Sequence, residues 1–258
     1  KKIKISSKEE NDKILEELSY NKYSVSKIIE KPRVKKPYAP FTTSSMQQDA
    51  ANKLNFNTRK TMVVAQQLYE GIDVGKRETM GLITYLRTDS VRVSDKAKAA
   101  AASYVTEEFG EEYSANNIFS SKRKDVQDAH EAIRPSDVNL KPEGIKEYLS
   151  GDQFKLYKLI WTRFVASQMA AARYDSMQVD IENGKYRFRA NGSKRLFDGY
   201  QKVYKTADEE KDNLLPELNE GEELKLIDIK GEQNFTQPPA RFTEASLVKT
   251  LEELNIGR

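Results

Sequence analysis

Residues Gly81 to Ser90 read GLITYLRTDS. Leu82, Ile83, Thr84 and Leu86 have the apolar and β-branched character of a buried strand, and the pattern predicts one here. Tyr85, Arg87 and Asp89 interrupt it at every second place. Residues i and i+2 of a strand share a face about 6.7 Å apart, so a phenol, a guanidinium and a carboxylate would stand in one row. With a reference pKa near 10, only about 0.1 % of a phenol is phenolate at neutral pH, a deficit of roughly 4 kcal/mol. A nearby guanidinium favours the phenolate. It can also hold a phosphate with two parallel hydrogen bonds and stabilise charge gathering on its oxygens. That set suits attack on a phosphodiester with tyrosine as the covalent carrier. The phenol leaves more readily than an alkyl alcohol, so the broken bond could be resealed without ATP. Taken alone, the alternation fits a half-buried strand with a surface Arg–Asp pair more readily than catalysis.

A second cluster, DAHEAIRP, runs from Asp128 to Pro135 and holds the only histidine of the chain, His130. On a helical turn His130 and Arg134 would share a face at i and i+4, with Pro135 ending the turn. A histidine beside an arginine can contact a phosphate. A lone histidine is more often a satisfied structural residue.

The bulk numbers set limits. The chain has 258 residues, enough for two ordinary domains. Net charge is only +3, so any basic surface must come from segregation of charge within the fold. There is no cysteine, which excludes disulfides, a thiolate nucleophile and a cysteine zinc site. No apolar run reaches the roughly 18 residues of a membrane span. The chain starts at Lys1 and stops at Gly257-Arg258, just after a helical pattern, which suggests a piece of a longer polypeptide.

Outward from the opening stretch, residues 9–19 predict a short helix and Tyr23 to Ile29 an alternating strand. KPRVKKPYAP (31–40), with three prolines and four basic residues, reads as a linker. Two helices follow, with Ser45 and Thr58 as their expected caps. Their short joint suggests either a helix-turn-helix or plain αα packing. Ser94 can cap a helix that Gly110 closes, and Asp152 to about Tyr174 is a long amphipathic helix with Trp161 in its apolar stripe. From Asp175 strands dominate: a hairpin with a type I′ signal at Asn183-Gly184, then LFDGYQKVY and ELKLIDIKGEQNF as further strands. Thr243 can cap a final helix. The order suggests an α+β protein in which a helical block, about 36–171, is inserted in a β-rich domain. Asp208, Glu209, Glu210 and Asp212 read as a solvated loop, and Asp180 and Glu182 as plain hairpin residues, so no metal site is expected.

GLITYLRTDS followed about 40 residues later by DAHEAIRPSD closely resembles the signature of bacterial DNA topoisomerase I, the type IA class. PYAPFTTSSMQQDAANKL, TMVVAQQLYEG, LYKLIWTRFVASQMAAARYDS and PPARFTEASLVKTLEELNIGR extend the resemblance over most of the chain. Leu86 stands where topoisomerase III relatives usually carry proline, which favours the topoisomerase I branch. The resemblance implies that Tyr85 is the nucleophile that joins a 5′ phosphate of single-stranded DNA and leaves a free 3′ hydroxyl. Another strand passes through the gap, the gap is resealed, and negative supercoils relax without ATP. It implies that Arg87 holds the scissile phosphate. Asp89 and His130 belong to the polar network around the strand, and Arg134 and Arg258 are further DNA contacts. It implies a β-rich arch domain (1–35 and 172–241), an inserted helical nucleophile domain with a helix-turn-helix-like core (36–171), and the start of a further domain (242–258). Mg²⁺ would be bound by a Toprim domain that this chain lacks, and the zinc ribbons of the family are missing too. The implied partners are single-stranded DNA and the remaining domains of the same polypeptide, in a monomeric enzyme of the bacterial cytoplasm and nucleoid. The chain alone is then expected to be inactive; the alternative is a single-stranded DNA-binding module without catalysis.

Overall fold

The computed structural model describes residues 3–75, 79–120, 130–205, 213–254 and 256. The chain divides into two compact units. One comprises Lys1–Val34, Arg173–Phe197 and Asp208–Pro239; the other comprises Lys35–Ala172, Asp198–Ala207 and Ala240–Arg258.

The first unit is a helix on a four-stranded sheet. Helix α1 (Lys8–Tyr20) begins at Ser7, whose side chain accepts from the Glu10 backbone. Strands β1 (Tyr23–Lys35), β2 (Ala172–Asn183), β3 (Tyr186–Phe197) and β4 (Glu223–Leu224) lie in the order β3-β2-β1-β4. β1 pairs with β4, and β2 with β3, antiparallel. Leu18, Val25, Tyr174 and Val179 are buried.

β1 continues through Pro32 to Lys35, into the stretch expected as a linker. A proline is tolerated there because β4 pairs only with Tyr23 and Ser24, which leaves one side of β1 open at residue 32. The same geometry shortens β4. Residues after Leu224 run past the start of β1 and meet no partner strand, so ELKLIDIKGEQNF forms a strand only over Glu223–Leu224, and Ile227 is 96 % exposed.

The β2–β3 hairpin turns one residue later than the Asn-Gly signal suggests. Asn183 pairs with Tyr186, so Gly184 and Lys185 form the two-residue loop. Gly184 has φ +56° and Lys185 no positive φ, the pattern of a II′ rather than a I′ turn. Asn183 is withdrawn from the turn because its side chain is buried and its amide donates to Leu18 O at 3.3 Å and Asn21 O at 3.0 Å, at the end of α1. Asp180 faces Arg189 across the ladder in a two-bond pair of 2.7 and 3.1 Å, and Glu182 takes Arg187 at 2.7 Å.

The second unit is built on helices α2 (Thr43–Leu54), α3 (Thr58–Glu70), α4 (Asp95–Phe109), α5 (Gly151–Ser167) and α6 (Glu244–Glu253). Their caps are legible: Thr42 with Ser45, Ser150 with Gln153 and Thr243 with Ser246 form reciprocal capping boxes. α2 starts at Thr43, two residues before Ser45, and α3 at Thr58 itself, because Thr42 and Asn57 supply the capping oxygens in place of Ser45 and Thr58. Asn55, left-handed at φ 55°, turns the chain between these two helices.

α5 is the centre of this unit. Leu156, Tyr157, Ile160, Phe164 and Val165 are buried, each such side chain contributing about 1.5–3 kcal/mol relative to exposure. Its polar tips are satisfied: Trp161 Nε1 donates to Val138 O at 2.9 Å and Tyr157 OH to Leu140 O at 2.8 Å. Burial pushes the Tyr157 phenol far above its ordinary value. α5 ends at Ser167, short of the expected Tyr174, because the chain after it turns into β2. LFDGYQKVY is not a further strand. Tyr200 is fully buried and its N–H donates to Ala170 O at 2.9 Å, which draws Gly199–Lys202 into a 3-10 turn.

Among the described residues, no helix is long and apolar enough to cross a membrane.

Candidate active site

Gly81–Ser90 is not a strand; it is irregular backbone with one isolated bridge, Ile83 to Pro135. The reason lies in where its backbone groups go. The Leu82 N–H donates to Leu68 O at the end of α3, 2.7 Å away. Leu82 O accepts from Ser136 N at 2.9 Å and the Thr84 N–H donates to Arg134 O at 2.9 Å. Past Tyr85 the partner changes to the start of α2, where the Thr43 N–H donates to Thr88 O at 2.9 Å. No single strand runs alongside, so no ladder forms. Gly81 is the tightest point: a Cβ there would lie 2.5 Å from Tyr69 O.

Burial still alternates. Leu86, Thr88 and Ser90 are buried, Tyr85 and Arg87 are exposed, and Asp89 is half-buried. Tyr85 and Arg87 thus share the solvent side, one residue apart, over an apolar anchor. The Tyr85 ring meets two others: Tyr69 stands edge-on at 5.7 Å between centroids and His130 is tilted at 5.0 Å. Among the described residues, no side-chain hydrogen bond or ion pair engages the exposed Arg87.

The second cluster is reshaped. Asp128 lies outside the described residues, and His130 to Pro135 is extended rather than a helical turn. The cause is the pairing of Ile133 with Phe41 and of Pro135 with Ile83, which draws the segment out. His130 and Arg134 therefore do not share a helical face. Exposed His130 meets Tyr85, whereas Arg134 is largely buried. Arg134 Nε donates to Glu131 Oε2 at 2.7 Å and its NH1 to Pro135 O at 2.9 Å. Arg134 thus braces its own segment. Burial raises the Glu131 carboxyl, but the Arg134 guanidinium and Ser94, at the start of α4, outweigh it and hold the group below its ordinary value. Arg258 lies outside the described residues.

Two contributors lie in stretches that resemble the family, but their residue patterns point to no role in the site. Tyr69 sits on α3 at a helical spacing that reads only as apolar, and its ring edge is found only once Gly81 folds onto its carbonyl. Thr43 opens α2 and reads as part of a cap. Among the described residues, no group of three or more histidines, aspartates or glutamates is placed to hold a metal ion.

A family model described as DNA topoisomerase matches residues 1–258. The chain belongs to the type IA DNA topoisomerases of bacteria. A solved structure of full-length topoisomerase I from Thermotoga maritima is 43 % identical, with a TM-score of 0.86, over all of this chain and 41 % of that one. The chain spans less than half the length of that topoisomerase.

Proposed function

We propose that this chain carries the nucleophile half of a type IA topoisomerase active site, in an enzyme that cuts and reseals one DNA strand to relax negative supercoils. The observation that supports it most is the pairing of exposed Tyr85 with exposed Arg87 over buried Leu86, inside the family's motif. In the proposed step the Tyr85 phenolic oxygen attacks phosphorus and the bond from phosphorus to the 3′ oxygen breaks. The phenol loses a proton and the departing 3′ oxygen gains one, so the strand ends as a free 3′ hydroxyl and a 5′ phosphotyrosine. Religation is the reverse, and no ATP is consumed. Arg87 binds the phosphate oxygens with its planar fork and takes up their growing charge. In this reading His130, against the Tyr85 ring, and Asp89 contact the bound strand.

The helical unit acts as an inserted nucleophile domain and the sheet-bearing unit as the arch. Mg²⁺ is bound by another part of the polypeptide, and single-stranded DNA and those remaining domains are the partners of a monomeric, cytoplasmic enzyme associated with the nucleoid. The intact enzyme tests this. With supercoiled plasmid and Mg²⁺, the parent protein relaxes DNA and Tyr85→Phe does not, while both show the same circular dichroism. Relaxation by the Phe variant at the parent rate would overturn the proposal.

A further inference from the structure

We infer that Thr43 is a positioning residue whose hydroxyl fixes the Leu86–Thr88 turn and so places Arg87 beside Tyr85; this rests on the proposed role of those two residues. The Thr43 Oγ1 donates to Leu86 O at 2.7 Å and accepts from the Thr88 N–H at 2.9 Å. The Thr43 N–H adds a third bond, to Thr88 O at 2.9 Å. One residue therefore holds both flanks of Arg87, before and after it. A hydroxyl has one proton and two lone pairs, so it alone among side chains of this size can bond both groups at once. Leu86 and Thr88 are buried, so water is no ready replacement.

The hydroxyl is mounted on a fixed base. Thr43 is the first residue of α2, directly after the capping Thr42. Phe41 is fully buried and its carbonyl accepts from Ile133 N at 2.8 Å. Buried Arg163 of α5 donates to Ala39 O at 2.6 Å and lies 4.8 Å from the Phe41 ring. Residues 39–43 thus strap the central helix to the turn that bears Arg87. On the other flank of Tyr85, the Thr84 hydroxyl does the matching work, donating to Ala132 O at 2.7 Å and accepting from Arg134 N at 3.0 Å.

The test uses the intact enzyme, a saturating single-stranded oligonucleotide and single-turnover formation of the covalent adduct. Strand affinity and melting temperature are measured on the same variants. Thr43→Val keeps the shape and removes the hydroxyl; Thr43→Ser keeps the hydroxyl. Thr43→Val is expected to stay folded with a melting temperature lowered by a few degrees, and to slow adduct formation about tenfold or more with affinity within about twofold; Thr43→Ser is expected to restore the rate. A Thr43→Val rate within about twofold of the parent overturns the inference. So does loss of the fold in Thr43→Val, or a Thr43→Ser variant as slow as Thr43→Val, because the hydroxyl would then be a general structural bond. An absent adduct in the parent enzyme, or an adduct persisting in Tyr85→Phe, is a separate result: it removes the proposed function and this inference with it.

Discussion

Tyr85 has ring contacts with Tyr69 and His130, while among the described residues no side-chain hydrogen bond or ion pair engages Arg87, whose neighbours Leu86 and Thr88 are held by Thr43. The two residues should therefore respond differently to substitution. Arg87→Lys retains the charge and loses the two-bond fork, so adduct formation in the intact enzyme should fall by about tenfold to a hundredfold with the melting temperature unchanged. Single-turnover cleavage of an oligonucleotide measures it. Gly81→Ala is a stability test. The new methyl would meet Tyr69 O at 2.5 Å, and a carbonyl of a helix end cannot rotate away. Overpacking of this kind costs about 1–3 kcal/mol, which thermal melting would register as a drop of several degrees. At this scale residue type and alternation made legible that Tyr85 and Arg87 are exposed while Leu86 between them is buried. The bonds of Thr43 were not legible: it lies 45 positions from its partner Thr88, in a stretch that resembles the family but reads locally as a helix start.

The elements around the site are short segments pinned by side chains, and here local pattern misled. The alternation at Gly81–Ser90 is real in burial yet makes no strand, because the backbone partners are Leu68, Arg134 and Thr43, drawn from three separate parts of the chain. The Asn183-Gly184 signal located a hairpin and missed its register by one residue, since Asn183 is committed to the end of α1. Helix caps were located to within a few residues because their hydrogen bonds are local. The His130–Pro135 segment gives a prediction in pH. The Glu131 carboxyl is held below its ordinary value of 4.5 by Arg134 and Ser94 against the pull of burial. A lowered folded value means the stabilisation is fully present above the ordinary value and is lost as pH falls through the lower one. Melting temperature should therefore decline in that acid window, and Glu131→Gln should be less stable than the parent at neutral pH with a shallower acid decline. Equal acid slopes in the two proteins would show that Glu131 is not the group responsible. At the two ends of α6, Glu244 Oε2 accepts from Thr58 N at 2.8 Å and Glu252 Oε2 accepts from the Ser44 hydroxyl at 2.6 Å. These carboxylates serve the N-terminal turns of α3 and α2, where negative charge is favoured. Glu244→Gln should cost about 0.3–1 kcal/mol in urea unfolding, most clearly at low salt.

For the molecule as a whole, membership of the topoisomerase family was legible from two motifs in order. What pattern could not give was which strands would find partners. LFDGYQKVY and the stretch after Leu224 look like strands, but the first is claimed by the burial of Tyr200 and the second outruns β1. The chain spans 41 % of the Thermotoga maritima enzyme it matches, and no supercoil relaxation is expected from this polypeptide by itself with Mg²⁺; relaxation would place every essential group within it. Its proposed chemistry reduces to one bond between a tyrosine oxygen and a phosphorus. The most direct test traps the intact enzyme on a single-stranded oligonucleotide, digests it and maps the nucleotide-bearing peptide by mass spectrometry. The adduct should fall on Tyr85, in the peptide containing GLITYL, and vanish in Tyr85→Phe. Attachment at any other residue, or an undiminished adduct in the Phe variant, would contradict it.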